Sequence, residues 1–183
     1  TSFDPQTLSA LVSGFAGRRI AVLGDVMLDR YLWGHVERIS PEAPVPVVEV
    51  ERESSSLGGA GNVAANLKAL GAEPVLIAVV GEDADGAALR AALESQGVSA
   101  RRVLADASRP TTVKTRIVAH SQQVVRADRE ARADVAGAAF ERLSGLIARE
   151  IQGCEALVVS DYGKGVVHPG TLAPALAIAR AGG

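Results

Sequence analysis

Three short apolar runs constrain the fold: Arg19–Leu23 (RIAVL), Pro74–Val80 (PVLIAVV) and Ala156–Val159 (ALVV). None alternates apolar with polar residues, so each predicts a strand covered on both faces, as in a parallel sheet between helices. Each run ends at a small residue followed by an acidic one: Gly24-Asp25, Gly81-Glu82 and Ser160-Asp161. Segments with the 3.6-residue period of helices alternate with them at Ala60–Leu70, Ala84–Gln96, Val135–Ile151 and Pro169–Ala181. Asp4 and Pro5 form an N-cap and N1 pair for a first helix reaching about Phe15. The alternation predicts an α/β core, a parallel sheet flanked by helices. With 183 residues and 48% hydrophobic content, the chain can bury one sizeable core.

Two stretches break this rhythm. Tyr31–Val50 (YLWGHVERISPEAPVPVVEV) and Thr111–Arg126 (TTVKTRIVAHSQQVVR) predict antiparallel strands inserted into the α/β frame, at about 30–52 and 111–127. The second stretch turns at His120-Ser121-Gln122. On patterning alone these strands form either a lid over a site or an ordinary edge hairpin. Glu51–Ser56 (ERESSS) reads as a polar connector, and Arg129–Asp134 (REARAD) as a solvated charged face with Asp134 as the next N-cap.

Charge and composition exclude several classes. A net charge of -2 with dispersed arginines leaves no electrostatic footprint for nucleic acid. No apolar run approaches the roughly 18 residues of a membrane span, and the first residues lack a basic, then apolar, leader, so no membrane partner and a cytoplasmic location are expected. Cys154 is alone and reads as a buried, inert thiol. His35, His120 and His168 lack metal-ligand spacing, and no H-E-x-x-H or G-x-S-x-G motif occurs, so neither a metal site nor a hydrolase is expected.

The segment from Gly58 to Gly81 (GGAGNVAANLKALGAEPVLIAVVG) carries the most specific chemistry. Its glycines allow close backbone approach and positive φ, and the following helix, closed by Gly71, points free N–H groups toward a polar or anionic ligand. Asn62 offers both a donor and an acceptor to hydroxyls. A turn that merely packs the helix against the sheet fits the local sequence as well. Gly59, Gly61 and Ala64 also spell G-x-G-x-x-A, with Glu82 and Asp83 at the distance of the acidic partner of a dinucleotide site. That alternative, an NAD- or FAD-dependent oxidoreductase, needs a strand directly before the glycines, where the polar connector stands.

Gly58, Gly59, Ala60, Asn62, Ala64, Gly71 and Gly81 match the spacing of the first signature of the ribokinase-like, or PfkB, sugar kinases, which the chain resembles. The resemblance implies ATP-dependent phosphorylation of a small hydroxylated molecule. It favours a β lid over the sugar and a homodimer through paired lids. Asp29, in GDVMLDRY, matches the aspartate that binds sugar hydroxyls in the family. Asp25 ends a strand where open α/β sheets place ligands, and reads equally as a turn or cap carboxylate. The family's Gly-Ala-Gly-Asp motif, which carries the catalytic base and the anion hole, has no match here. The chain also stops at Ala181-Gly182-Gly183, before the strand that a repeating pattern would place next. Residues 1–183 are therefore expected to be the N-terminal, sugar-facing part of one kinase domain, inactive alone, with ATP and Mg²⁺ bound mainly by a C-terminal part.

GDVMLDRYLWGHVERISPEAPVPVVEV, VKTRIVAHSQQVVRADRE and SDYGKGVV resemble a subgroup, the D-glycero-β-D-manno-heptose 7-phosphate kinases. These add a 1-phosphate on the route to the heptose of bacterial lipopolysaccharide. A phosphorylated sugar needs a cationic pocket, and Lys114, Arg116 and Arg126 are candidates on the lid strands, although each alone reads as a solvated surface charge. Asp161-Tyr162-Gly163-Lys164-Gly165 follows a buried strand, which makes Asp161 and Lys164 candidates for substrate contact. A P-loop is excluded, since it would need Gly where Val158 stands and Ser or Thr where Gly165 stands. Another PfkB-type kinase for a sugar or nucleoside, and a non-catalytic sugar-phosphate sensor, are further alternatives.

Overall fold

The computed structural model describes residues 4–182. Four strands form the parallel sheet: β1 (Arg19–Gly24), β4 (Glu73–Gly81), β5 (Val103–Asp106) and β8 (Ala156–Ser160), in the order β5-β4-β1-β8. The helices are α1 (Pro5–Ser13), α2 (Ala60–Ala69), α3 (Ala84–Ser95), α4 (Gly137–Glu150) and α5 (Pro169–Ala181). Neighbouring residues of one strand point to opposite faces. Ile20, Val22, Leu76, Ala78 and Val80 accordingly pack with Ala64 and Leu67 of α2 and Leu89 and Leu93 of α3. Ala21, Leu23, Val75, Ile77 and Val79 pack on the other face with Leu143, Leu146 and Ile147 of α4 and Ala175 of α5. Burial on both faces is why these strands are apolar throughout.

The second sheet contains β2 (Val26–Ile39), β3 (Pro46–Gly59), β6 (Val113–Ala119) and β7 (Gln122–Arg129), in the order β3-β2-β6-β7. Two hairpins build it, and their inner strands β2 and β6 run parallel, so the expected antiparallel strands meet along a parallel seam. Its strands exceed the expected lengths. Glu51–Ser56 is no connector: ERESSS continues β3 with Ser54, Ser55 and Ser56 paired to Tyr31, Arg30 and Asp29. A strand therefore does run directly into the glycines. It belongs to the second sheet, antiparallel to β2, whereas a dinucleotide site requires a parallel βαβ unit in one sheet.

Two helix ends show how local chemistry sets the boundaries. Asp4 caps α1 by accepting from Thr7 N at 3.1 Å. Gly71, at φ 89°, closes α2 by a Schellman motif: its N–H donates to Lys68 O, and Ala72 N–H donates to Leu67 O. The helix expected from Val135 starts instead at Gly137 after Ala136, whose backbone is extended, because Val135 is buried and donates to Gly165 O at 2.9 Å; Asp134 is not its cap. Cys154 is half-buried, its thiol donates to Glu150 O at 3.2 Å, and burial pushes its pKa up, which fits an inert thiol.

Candidate functional site

The second sheet brings most of the candidate residues to one face. Asp29, Tyr31 and Trp33 alternate along β2 and share a face. Register places Ser56, Ser54 and Arg52 of β3 beside them, then Lys114, Arg116 and Val118 of β6, then Asp128 and Arg126 of β7. Contacts agree with that register. Arg116 pairs with Asp29 and lies over the Tyr31 ring, 5.3 Å from its centroid. Tyr31 stacks on Trp33 with centroids 5.6 Å apart, Arg52 covers Trp33, and the indole N–H donates to Ser54 Oγ at 3.0 Å. The hydrogen bond from Arg116 to Asp29 raises the guanidinium pKa further, so Arg116 stays charged over any working pH.

Gly58 and Gly59 join this face to the N-terminus of α2. A Cβ on Gly58 would strike Asp29 Oδ2 and lie 2.6 Å from Met27 Cγ, so glycine here is what lets the Asp29 side chain lie along its strand. Gly59 takes φ 56° and ψ −136°, a region essentially reserved for glycine, and a Cβ there would run into Asp25 O. No side chain caps α2; its Ala60 N–H donates to Asp25 O at 2.9 Å, and Asn62 stands exposed in the first turn. The open first turn can therefore receive a polar ligand.

Asp25 resolves as an internal anchor. It is 1% exposed and accepts Tyr162 N at 2.8 Å, Lys164 N at 3.0 Å and Val166 N at 3.1 Å. A carboxylate at the end of β1 thus holds the loop after β8 in place. Arg109 holds the same loop from the other side, donating to Lys164 O at 2.9 Å and to Ala133 O.

Lys164 extends from this loop to the base of the second sheet. Its Nζ lies 2.8 Å from Glu130 Oε2, and Lys114 Nζ approaches the same oxygen at 3.6 Å while contacting Asp128 Oδ2 at 3.1 Å. Arg126 grips Asp128 through Nε and a terminal nitrogen at 2.8 and 3.0 Å. The Lys164 ammonium is the chief reason that Glu130 titrates at about 2; burial opposes it, and Arg132 and Lys114 reinforce it.

Seven of the nine candidates, Asp29, Gly58, Gly59, Lys114, Arg116, Arg126 and Lys164, thus lie on the second-sheet face or at its junction with the parallel sheet. Asn62 lies beside that junction. Asp161 is exposed and accepts Gly163 N–H at 2.8 Å within its own turn. Each of the four candidate cations meets a carboxylate, Arg116 at Asp29, Arg126 and Lys114 at Asp128, and Lys164 at Glu130; Lys114 and Lys164 are the two that converge on one group, Glu130, from two layers. Glu130 was hidden in a charge run read as solvated, yet its side chain is only 11% exposed. Its phase was the available signal, since it continues the Arg126, Asp128 alternation of β7. Two open clefts, lined by Gly81, Asp83 and Arg90 and by Arg109 and Arg129, lie beside this cluster at the end of β4. Among the described residues no three His, Cys, Asp or Glu side chains are arranged to hold a metal ion. No described helix is long and apolar enough to cross a membrane.

The chain resembles known proteins in sequence and in fold. The chain is 48% identical over 177 residues to the bifunctional protein HldE of Caulobacter sp. strain K31, covering 97% of this chain and 36% of that protein. It is 46% identical over 179 residues to the bifunctional protein HldE of Pelobacter propionicus, covering 98% of this chain and 37% of that one. The chain thus spans little over a third of the curated relatives it matches. Among solved structures, a putative phosphofructokinase from Staphylococcus aureus superposes with TM-score 0.69 at 16% identity, over 90% of this chain and 50% of that one. Phosphofructokinase-2 from Escherichia coli, in complex with fructose-6-phosphate, gives 0.65 at 21% identity, over 91% of this chain and 52% of that one. At such identities the likeness shows the fold, which is that of the ribokinase-like kinases. With the family model for pfkB family carbohydrate kinases matching residues 18–183, the chain belongs to that family.

Proposed function

We propose that this chain is the sugar-binding part of an ATP-dependent kinase that phosphorylates D-glycero-β-D-manno-heptose 7-phosphate at position 1, for the heptose of bacterial lipopolysaccharide. The observation that carries the reading is the convergence of Lys114 and Lys164, from the second sheet and the sheet-edge loop, beside Asp29. Asp29, positioned by Arg116 and given room by Gly58, accepts hydrogen bonds from sugar hydroxyls. Gly59 and Asn62 offer the open first turn of α2 to the same sugar. Lys114 and Lys164, with Arg126 and Asp161 nearer the rim, receive the phosphate that the substrate already carries. The second sheet covers the sugar as a lid and keeps water from the phosphoryl donor. About half identity to proteins named HldE over nearly the whole chain supports the heptose reading. The relatives are longer, and the reading assigns ATP, Mg²⁺ and the catalytic base to a part of the kinase beyond these residues.

The same proposal includes work in the cytoplasm, where ATP is available, and a homodimer through the lid. Support for the dimer is apolar exposure on the lid: Ile39 61%, Val50 53%, Val125 49% and Val124 41%. The function is tested by ³¹P NMR of the full-length chain with Mg-ATP and D-glycero-D-manno-heptose 7-phosphate, with fructose 6-phosphate and ribose as controls. A new anomeric phosphate signal with heptose alone is the expected result. ADP formation with a control in preference to heptose, or with none of the three, would overturn the assignment.

A further inference from the structure

Glu130 is a carboxylate in the wrong place for a site that receives anions, unless it serves the cations beside it. We propose that Glu130 is a positioning residue: it aims the Lys164 ammonium, and with it Lys114, at the phosphate of the sugar substrate. This inference rests on the sugar-phosphate reading above and adds to it a residue that touches no substrate.

Different groups hold the loop and the ammonium. The backbone around Lys164 is already fixed, by Asp25 through the N–H groups of Tyr162, Lys164 and Val166, and by Arg109 through Lys164 O. Gly165 adds a further tie, its carbonyl accepting from Val135 N at 2.9 Å. Glu130 contributes nothing to those bonds. Its contact is with the tip of the side chain, at 2.8 Å, and among the described residues it is the only acidic group within ion-pair distance of Lys164 Nζ. A lysine side chain has four rotatable bonds and a strongly hydrated head, so without a partner it samples many positions. With Glu130 the ammonium is confined, only 12% exposed, next to the end of β7.

An ammonium has three donors, and the 2.8 Å contact with Glu130 is an ion pair without hydrogen-bond geometry, Glu130 Oε2 being buried with no hydrogen-bond partner. On this proposal the donors of Lys164 turn to a phosphate oxygen, so substrate and Glu130 share the same nitrogen without competing for one hydrogen. Lys114 differs, because Asp128 holds it at 3.1 Å and Glu130 only at 3.6 Å. The effect of Glu130 therefore runs mainly through Lys164. Glu130 also sits where the second sheet returns to the body, so one carboxylate couples a lid strand to a body loop.

The test is a double-mutant cycle on the full-length chain, read as the dissociation constant for heptose 7-phosphate by calorimetry, with thermal unfolding measured on every variant. Lys164→Gln is expected to weaken binding by about tenfold or more, the loss of one charge-assisted hydrogen bond. Glu130→Gln is expected to weaken it by about tenfold in the native background and by less than about twofold when Lys164→Gln is already present. Glu130→Asp, which keeps the charge on a shorter arm, is expected to fall between wild type and Glu130→Gln. A Glu130→Gln effect that persists undiminished without Lys164, or no effect of Glu130→Gln alone, overturns the inference while leaving Lys164 as a substrate contact. No effect of Lys164→Gln overturns the sugar-phosphate site itself, and the positioning role with it.

Discussion

Replacing Asp25 by Asn tests the claim that this carboxylate is an anchor. The change is nearly isosteric, so its effect is electronic: one of two acceptor oxygens becomes an NH₂ donor. In the better orientation the amide oxygen stands in for Oδ2 and keeps Tyr162 N–H and Lys164 N–H, while the NH₂ group faces Val166 N, now 3.1 Å away. One bond to a charged acceptor is lost, at about 1.5–3 kcal/mol, and a buried donor is left facing another, at about 1 kcal/mol more. The sum, about 2.5–4 kcal/mol, lowers Tm by about 5–16 °C for a chain of this length. Thermal and urea unfolding followed by circular dichroism measure the loss, and amide hydrogen exchange locates it. Val166 should lose protection while Tyr162 and Lys164 largely keep theirs. A stability within about 0.5 kcal/mol of wild type, or unchanged protection at all three amides, would refute the assignment of Asp25 as the loop's internal acceptor.

Gly59→Ala forces a side chain into a conformation at φ 56° and against Asp25 O, and is expected to cost about 2–4 kcal/mol in urea unfolding. Leu143→Ala empties a fully buried position on the inner face of α4 and is expected to cost about 3 kcal/mol, read as a lower Tm with little change in sugar-phosphate affinity. Glu130 has its pKa lowered from 4.5 to about 2, so its contribution is full above about pH 4.5 and disappears as pH falls toward 2. A displacement of that size corresponds to at most about 3 kcal/mol, which solvent screening at the lid edge reduces to about 1 kcal/mol. The stability gap between wild type and Glu130→Gln should close over that pH range, and a constant gap would contradict the Lys164 pairing. Val50→Asp with Val125→Asp should convert a lid-mediated dimer to monomer in sedimentation equilibrium, and an unchanged mass would exclude the lid as the interface.

The parallel sheet was legible because burial on both faces writes itself into uninterrupted apolar runs, as in PVLIAVV. The His120-Ser121 turn was legible too; both residues take positive φ, 49° and 64°, between two β-rich runs. What escaped was pairing that needs no apolar pattern. ERESSS is largely exposed in an extended ladder, and its strand character comes from hydrogen bonds to β2 that composition does not encode. The β5 strand is four residues at a sheet edge, VLAD, too short for a period to show. The parallel seam of β2 and β6 is a tertiary fact with no local signature. In the candidate site, residue types pointed to Asp29 and to the cations, but who pairs with whom did not follow from spacing. Asp25 was read as ligand-facing or structural with equal weight because the three amides it meets lie well over a hundred positions downstream.

That seam also dictates an order of assembly. Each hairpin is local, and a lone two-stranded hairpin is marginal in water. Joining them sets Leu28 beside Val113, with α2, β4, α3 and β5 all lying between in the chain. Closing so long a loop costs entropy before any lid contact repays it, so the body has to fold first and bring the two strands together. Asp29, Lys114 and Arg116 sit on the seam itself, beside one another only when that closure is complete. By this argument the second sheet is the last element to form, and the proposed sugar site exists only once it has.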